Sequence, residues 1–80
     1  MTTPQTLGSL PPGASGVVSG FVRDDNFTQR LMQLGLLEGT RVAVVRLAPG
    51  GDPIEVDVMG YALSLRRREA ELVLVETTPP

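Results

Sequence analysis

Short apolar runs of period two, each broken by glycine or proline within a few residues, leave this chain little choice but a small antiparallel β structure. Val42/Val44, Ile54/Val56/Val58 and Tyr61/Leu63/Leu65 each repeat at every second residue, which puts each set on one face of a strand. Pro49-Gly50-Gly51-Asp52-Pro53 and Met59-Gly60 stand between these runs and supply the reversals. The nine glycines and seven prolines fall between periodic segments, so they read as turns rather than as a disordered tract.

The flanking segments fit the same plan. Leu7 and Leu10 with Pro11-Pro12-Gly13 read as an extended lead-in and a turn held to the core by the leucines. Gly16 to Val22 has strand composition, but Val17/Phe21 and Val18/Val22 compete for the inward face, and Gly20 marks a bend or bulge that settles the conflict. Val73 and Val75 are the expected inward pair of a last strand, and Thr77-Thr78-Pro79-Pro80 is expected to fray.

One segment changes period. Phe27, Leu31 and Leu34, spaced by four and three, predict one inward stripe of a helix of two to three turns. Asp24, Asp25 or Asn26 caps its start, and Gly35 ends it by entering the left-handed region, so that Leu36 folds back on Leu31. Ala43, Val45 and Leu47 make their strand apolar on its second face as well, which predicts that the helix covers part of it. Arg67 to Ala70 fits one further helical turn between the last two strands. Five short strands and one brief helix suit a small bent barrel, because closure removes unpaired edges. Eighty residues allow one domain, expected over 1–80 with its core at 7–76 and frayed ends.

Composition excludes more chemistry than it suggests. Seven arginines, no lysine and nine acidic residues give a formal charge of −2, against polyanion binding by the whole surface. Four serines without any histidine or cysteine argue against nucleophilic catalysis, and no enzyme is expected. Glu55 and Asp57 lie roughly 6.5 Å apart along a strand, a separation a glycosidase pair can use, but alternating acids on a strand more commonly solubilise it. Asp52, Glu55, Asp57, Glu69 and Glu71 offer hard oxygen ligands without the spacing of a calcium loop, so no metal site is assigned. The glycines of Gly13-Ala14-Ser15-Gly16 and Ala48-Pro49-Gly50-Gly51 lack the lysine of a phosphate-binding loop, and no cofactor is expected. The N-terminus has no basic region followed by an apolar core, and no apolar run approaches membrane-spanning length, so neither secretion by that route nor membrane insertion is expected.

The order and spacing of these elements resemble a known family. Leu7 to Val18, Arg30-Leu31 with Leu34-Gly35-Leu36, Gly39, the Gly51-Asp52-Pro53-Ile54 hairpin, Gly60-Tyr61, and Leu65-Arg66 leading to Glu69-Ala70 together look like the FeoA-like domain of ferrous iron transport protein A. The likeness runs from about Leu7 to Val75. Glu38 stands where many relatives have proline, and Arg23-Asp24-Asp25-Asn26 gives a longer approach to the helix. The resemblance implies an SH3-like β-barrel of the mainly β class and a cytoplasmic accessory protein of ferrous iron uptake. Its implied partner is the soluble G-domain region of FeoB, the membrane ferrous iron transporter.

An adaptor of this size works through an apolar patch with a charged rim. Met32, Leu36, Leu37, Met59 and Tyr61 are the expected partner-binding residues, with Arg66 or Arg67 at the rim, and Tyr61 is expected to put its ring in the core and its hydroxyl outward. Arg66-Arg67-Arg68 otherwise reads as a solvated corner, because Glu69 and Glu71 offset its charge and no aromatic residue is interleaved. A second reading keeps a stand-alone regulatory barrel that binds nucleic acid or another protein through that arginine corner; nucleic acid is not the expected partner.

Overall fold

The computed structural model describes residues 4–77. Six strands form one antiparallel sheet: β1 (Pro4–Thr6), β2 (Ser15–Phe21), β3 (Arg41–Leu47), β4 (Ile54–Val58), β5 (Tyr61–Leu65) and β6 (Val73–Glu76), in the order β1-β6-β2-β3-β4-β5. Helix α1 (Asn26–Gln33) links β2 to β3, and the single turn α2 (Arg67–Ala70) links β5 to β6. The mainly β class, the helix α1 and the helical turn at Arg67–Ala70 follow the sequence expectation, with one strand more than the five expected. The addition is β1, which pairs with β6 from Pro4↔Glu76 to Thr6↔Leu74 where fraying had been expected. The tail beyond residue 77 lies outside the described residues.

Two bulges reconcile the apolar patterns with one core. In β2, Val18 pairs with Val75 and Phe21 with Val73, and the register shifts between Val18 and Gly20. The extra residue, Ser19, switches the phase, so Val18 and Phe21 face inward together and Val22 is left exposed. In β3 the shift lies between Val44 and Arg46. Val45 is the extra residue there, and Leu47 joins Val42 and Val44 at the core. The expected covering of Val45 by the helix therefore fails: the bulge turns Leu47 inward and leaves Val45 half-exposed, so no second apolar face remains to be covered.

Helix α1 begins with a reciprocal capping box. The Asp25 carboxylate accepts from the Thr28 backbone N–H at 3.1 Å, and the Thr28 hydroxyl accepts from the Asp25 N–H at 2.9 Å. The helix ends in a Schellman motif, with Gly35 N–H donating to Met32 O at 3.0 Å and Leu36 N–H to Leu31 O at 3.2 Å. Gly35 has φ of +105°, which explains the glycine. The inward stripe differs from the expected one: Thr28 and Leu31 are buried, while Phe27 and Leu34 lie outside. With Thr28 tied into the cap, the residue beside it, about 100° around the axis, turns away from the sheet.

The two ends of the sheet, β5 and β1, are not paired with each other among the described residues and are joined through α2. This turn sits on a 3₁₀ turn at Leu7–Ser9, with Ala70 fully buried and Gly8 beneath it. A Cβ on Gly8 would stand 2.7 Å from Glu71 Cγ and 3.1 Å from its backbone nitrogen, so the close approach leaves room for a side chain only if Glu71 and its backbone shift. Arg67 locks the joint: its guanidinium donates to Gly8 O at 2.9 Å and Gly51 O at 3.2 Å, and its N–H donates to the Asp52 carboxylate at 3.0 Å. The core of Leu7, Val18, Leu31, Leu36 and the inward residues of β3, β4, β5 and β6 lies inside this curl.

Candidate functional site

The end of α1 and the β4–β5 turn meet at one corner. Val58 and Tyr61 pair across a two-residue turn in which Met59 and Gly60 have φ of +52° and +97°, both left-handed, and the Asp57 carboxylate accepts from Gly60 N–H at 2.8 Å. Tyr61 then donates its hydroxyl to the carbonyl of Leu34, at the C-cap of α1. A Cβ at Gly35 would collide with that hydroxyl, so Gly35 serves both the helix end and the tyrosine. The expectation of a Tyr61 ring in the core is corrected: the side chain lies along the surface because its hydroxyl reaches an otherwise open helix carbonyl.

The sequence-predicted residues separate by burial. Leu37, Met59 and Tyr61 are 52%, 74% and 44% exposed, and Leu34, assigned to the interior from its spacing, is 38% exposed. Met32 is half-buried. Leu36 is a correction: it is fully buried, since the Schellman closure folds it onto Leu31, and it offers no surface. Arg67 is a second correction, because its guanidinium is occupied by Gly8 and Gly51 and cannot serve as a free rim. Arg66 is exposed; its N–H donates to the Glu69 carboxylate at 2.8 Å, which starts α2.

Sequence reasoning missed the outer face of α1. Phe27, Arg30 and Leu34 follow at i, i+3 and i+7 and are all exposed. The Asp25-to-Thr28 spacing was a signal for where the helix starts, and Thr28 lies three residues before Leu31 on the same face, but only the observed burial of Thr28 shows that this face, and not the one with Phe27, turns inward. Arg23 pairs with Asp25 and lies over the Phe27 ring, 5.8 Å from its centroid. The Thr28 backbone N–H, together with Arg23, holds the Asp25 carboxyl below its ordinary range, against a smaller opposing effect of desolvation.

Two hollows flank this face. One, of about 310 Å³, is lined by Arg23, Phe27, Arg68, Glu69 and Leu72. The other, of about 460 Å³, is lined by Arg30, Pro53, Ser64, Arg66, Arg68 and Glu69. Arg68 and Glu69 belong to both, so the two form one surface. Among the described residues no three acidic side chains gather as ligands for one ion. No described helix is long and apolar enough to cross a membrane.

A curled antiparallel sheet closed by a helical turn, with an apolar corner and an arginine-lined flank, defines a small SH3-like protein of the mainly β class. The model of the FeoA domain matches residues 5–77, and the chain belongs to that family. It is similar to the Fe(2+) transport protein A/Fe(2+) transporter FeoB fusion protein of Porphyromonas gingivalis, 33% identical over 70 residues that cover 88% of this chain and 8% of that protein. The chain thus spans a small part of that relative's length. Among solved structures, the FeoA-like protein from Clostridium acetobutylicum is 34% identical with a TM-score of 0.91, covering 100% of this chain and 93% of that one. The Stenotrophomonas maltophilia FeoA complexed with zinc is described as a unique prokaryotic SH3 domain protein and a candidate ferrous iron transport activating factor. It is 36% identical, with a TM-score of 0.78 and coverage of 89% of this chain and 88% of that one. Family and relatives connect the chain with ferrous iron transport.

Proposed function

We infer that this chain is a non-catalytic cytoplasmic adaptor that docks on the cytoplasmic part of a FeoB-type transporter and modulates ferrous iron uptake. The observation that carries this is the fusion relative, in which the homologous segment and the transporter share one polypeptide. Covalent linkage supplies an effective concentration near the millimolar range without any new contact. Where no such linkage holds the two together, the contact has to come from the surface of the domain itself. The corner of Leu34, Leu37, Met59 and Tyr61 is the surface proposed for that contact, continued by Arg30 one turn back along α1.

Met59 supports the assignment independently. A methionine in the left-handed region costs about 1–2 kcal/mol that glycine would avoid, and its side chain is largely exposed to solvent. The turn alone does not call for that side chain, whereas an unbranched thioether adapts well to a partner surface. The test is capture of the cytoplasmic region of the same organism's transporter by the tagged chain. Leu37→Asp and Met59→Asp are expected to keep the wild-type melting temperature within a few degrees and to weaken capture at least about tenfold, one well-packed apolar contact being worth that much. Undiminished capture by both folded variants refutes the corner as the docking site.

A further inference from the structure

We propose that the flank formed by α1 and α2 binds an acidic peptide segment carrying a bulky apolar side chain, with Arg30, Arg66 and Arg68 taking the carboxylates and Phe27 and Leu72 taking the apolar anchor. Three guanidinium groups from two elements line one hollow, and among the described residues none of them lies within 4.0 Å of a carboxylate. The acid between them, Glu69, already accepts from the Arg66 N–H. Local positive charge is therefore in excess on a chain whose net charge is −2. Phe27, 56% exposed, and Leu72 line the adjoining hollow, so a ligand is met by an apolar surface and by arginines side by side. Phe27 and Arg30 lie one helical turn apart, about 5–6 Å, close to two residues of an extended peptide.

The same geometry disfavours other anions. A nucleic-acid strand needs exposed aromatic faces in series, whereas the Phe27 ring has Arg23 over it and no other aromatic side chain lines either hollow. A compact phosphate is best held by free backbone N–H groups, and here those of Arg66 and Arg67 donate to Glu69 and Asp52, while those of Glu69 and Ala70 donate to Arg66 O. Arginine side chains spread over an open hollow suit separated carboxylates on a flexible segment, each met as a charge-assisted pair.

The inference rests on the adaptor reading only for which protein supplies the segment. Its test measures fluorescence anisotropy of a labelled, capped peptide of glutamates with interspersed leucines against the full chain. A peptide with glutamine for every glutamate serves as the neutral comparison, and polyuridine and inorganic phosphate as competitors. The glutamate peptide is expected to bind at least about tenfold tighter than the glutamine peptide and to lose affinity with salt. Arg68→Glu and the milder Arg68→Gln weaken it by about tenfold and severalfold, while Arg41→Glu, an equal charge change outside both hollows, has little effect. Equal loss with Arg41→Glu, no preference over the glutamine peptide, or displacement by polyuridine or phosphate at lower concentration overturns the proposal. Loss of transporter capture with peptide binding intact refutes the adaptor alone. Capture unaffected by Arg68→Glu, together with absent peptide binding, refutes the acidic segment alone.

Discussion

The two helical segments of this protein occupy adjacent positions and do opposite work. In α2, four residues long, Ala70 is fully buried, Arg67 reaches two backbone carbonyls of other segments, and Gly8 lies directly beneath. In α1, twice that length, only Thr28 and Leu31 turn inward, and Phe27, Arg30 and Leu34 face solvent. Eight residues are too few for a helix to persist on its own, so α1 depends on its capping box, its Schellman end and the burial of Leu31 and Leu36. Its outer face contributes little to that stability and is free to meet a partner. The shorter segment closes the sheet, and the longer one displays side chains.

The sharpest way to break this contrast is to truncate the two faces of α1 separately. Leu31→Ala removes a fully buried side chain and is expected to cost about 2–5 kcal/mol, whereas Leu34→Ala is expected to stay within about 1 kcal/mol. Urea unfolding of the two variants measures the difference directly. Similar losses at both positions mean that the outer face is part of the fold and the display role is wrong.

A smaller effect is expected where two neighbouring arginines divide between the two roles. Arg67→Ala leaves the carbonyls of Gly8 and Gly51 without their charged donor and is expected to destabilise by about 1.5–3 kcal/mol. Arg68→Ala, whose side chain is exposed and makes no hydrogen bond among the described residues, is expected to change stability by less than about 0.5 kcal/mol. Arg67→Lys should recover only part of the loss, because one ammonium on a flexible stem does not reproduce a planar fork spanning two acceptors. Thermal melts of the three variants order as wild type, Arg68→Ala, Arg67→Lys, Arg67→Ala if the joint depends on that fork.

Most of the fold was legible in the sequence because its signals are local. The hairpins, the Gly20 bulge, the Schellman end at Gly35-Leu36 and the turn at Arg67–Ala70 each depend on residues a few positions apart, and all are present. What was misread depends on long-range partners. Strand β1 exists because β6, some seventy residues away, leaves an edge for it, and three residues of Pro-Gln-Thr carry no strand pattern of their own. Leu36 was assigned two incompatible roles, helix closure and surface contact, and burial selects the first. Arg67 differs from Arg66 and Arg68 only in where the chain places Gly8 and Gly51, which no spacing within Arg66-Arg67-Arg68 reveals.

The smallest expected effect concerns the start of α1, where Asp25 serves both the cap and the display of Phe27 through Arg23. Its carboxyl is held below the ordinary range chiefly by the Thr28 backbone N–H and further by Arg23. Folding thus favours the charged form, so the stabilisation is fully present above the unfolded value near 3.9 and disappears as pH falls through the lower folded value. Asp25→Asn keeps an oxygen able to cap but removes the titration. The melting temperatures of wild type and variant are expected to differ by a constant amount above about pH 5 and to converge as the pH falls from there towards 2. A gap that persists unchanged at the acid end would mean that the carboxylate's charge does not contribute, leaving cap geometry alone to hold the first turn and present the Phe27 face.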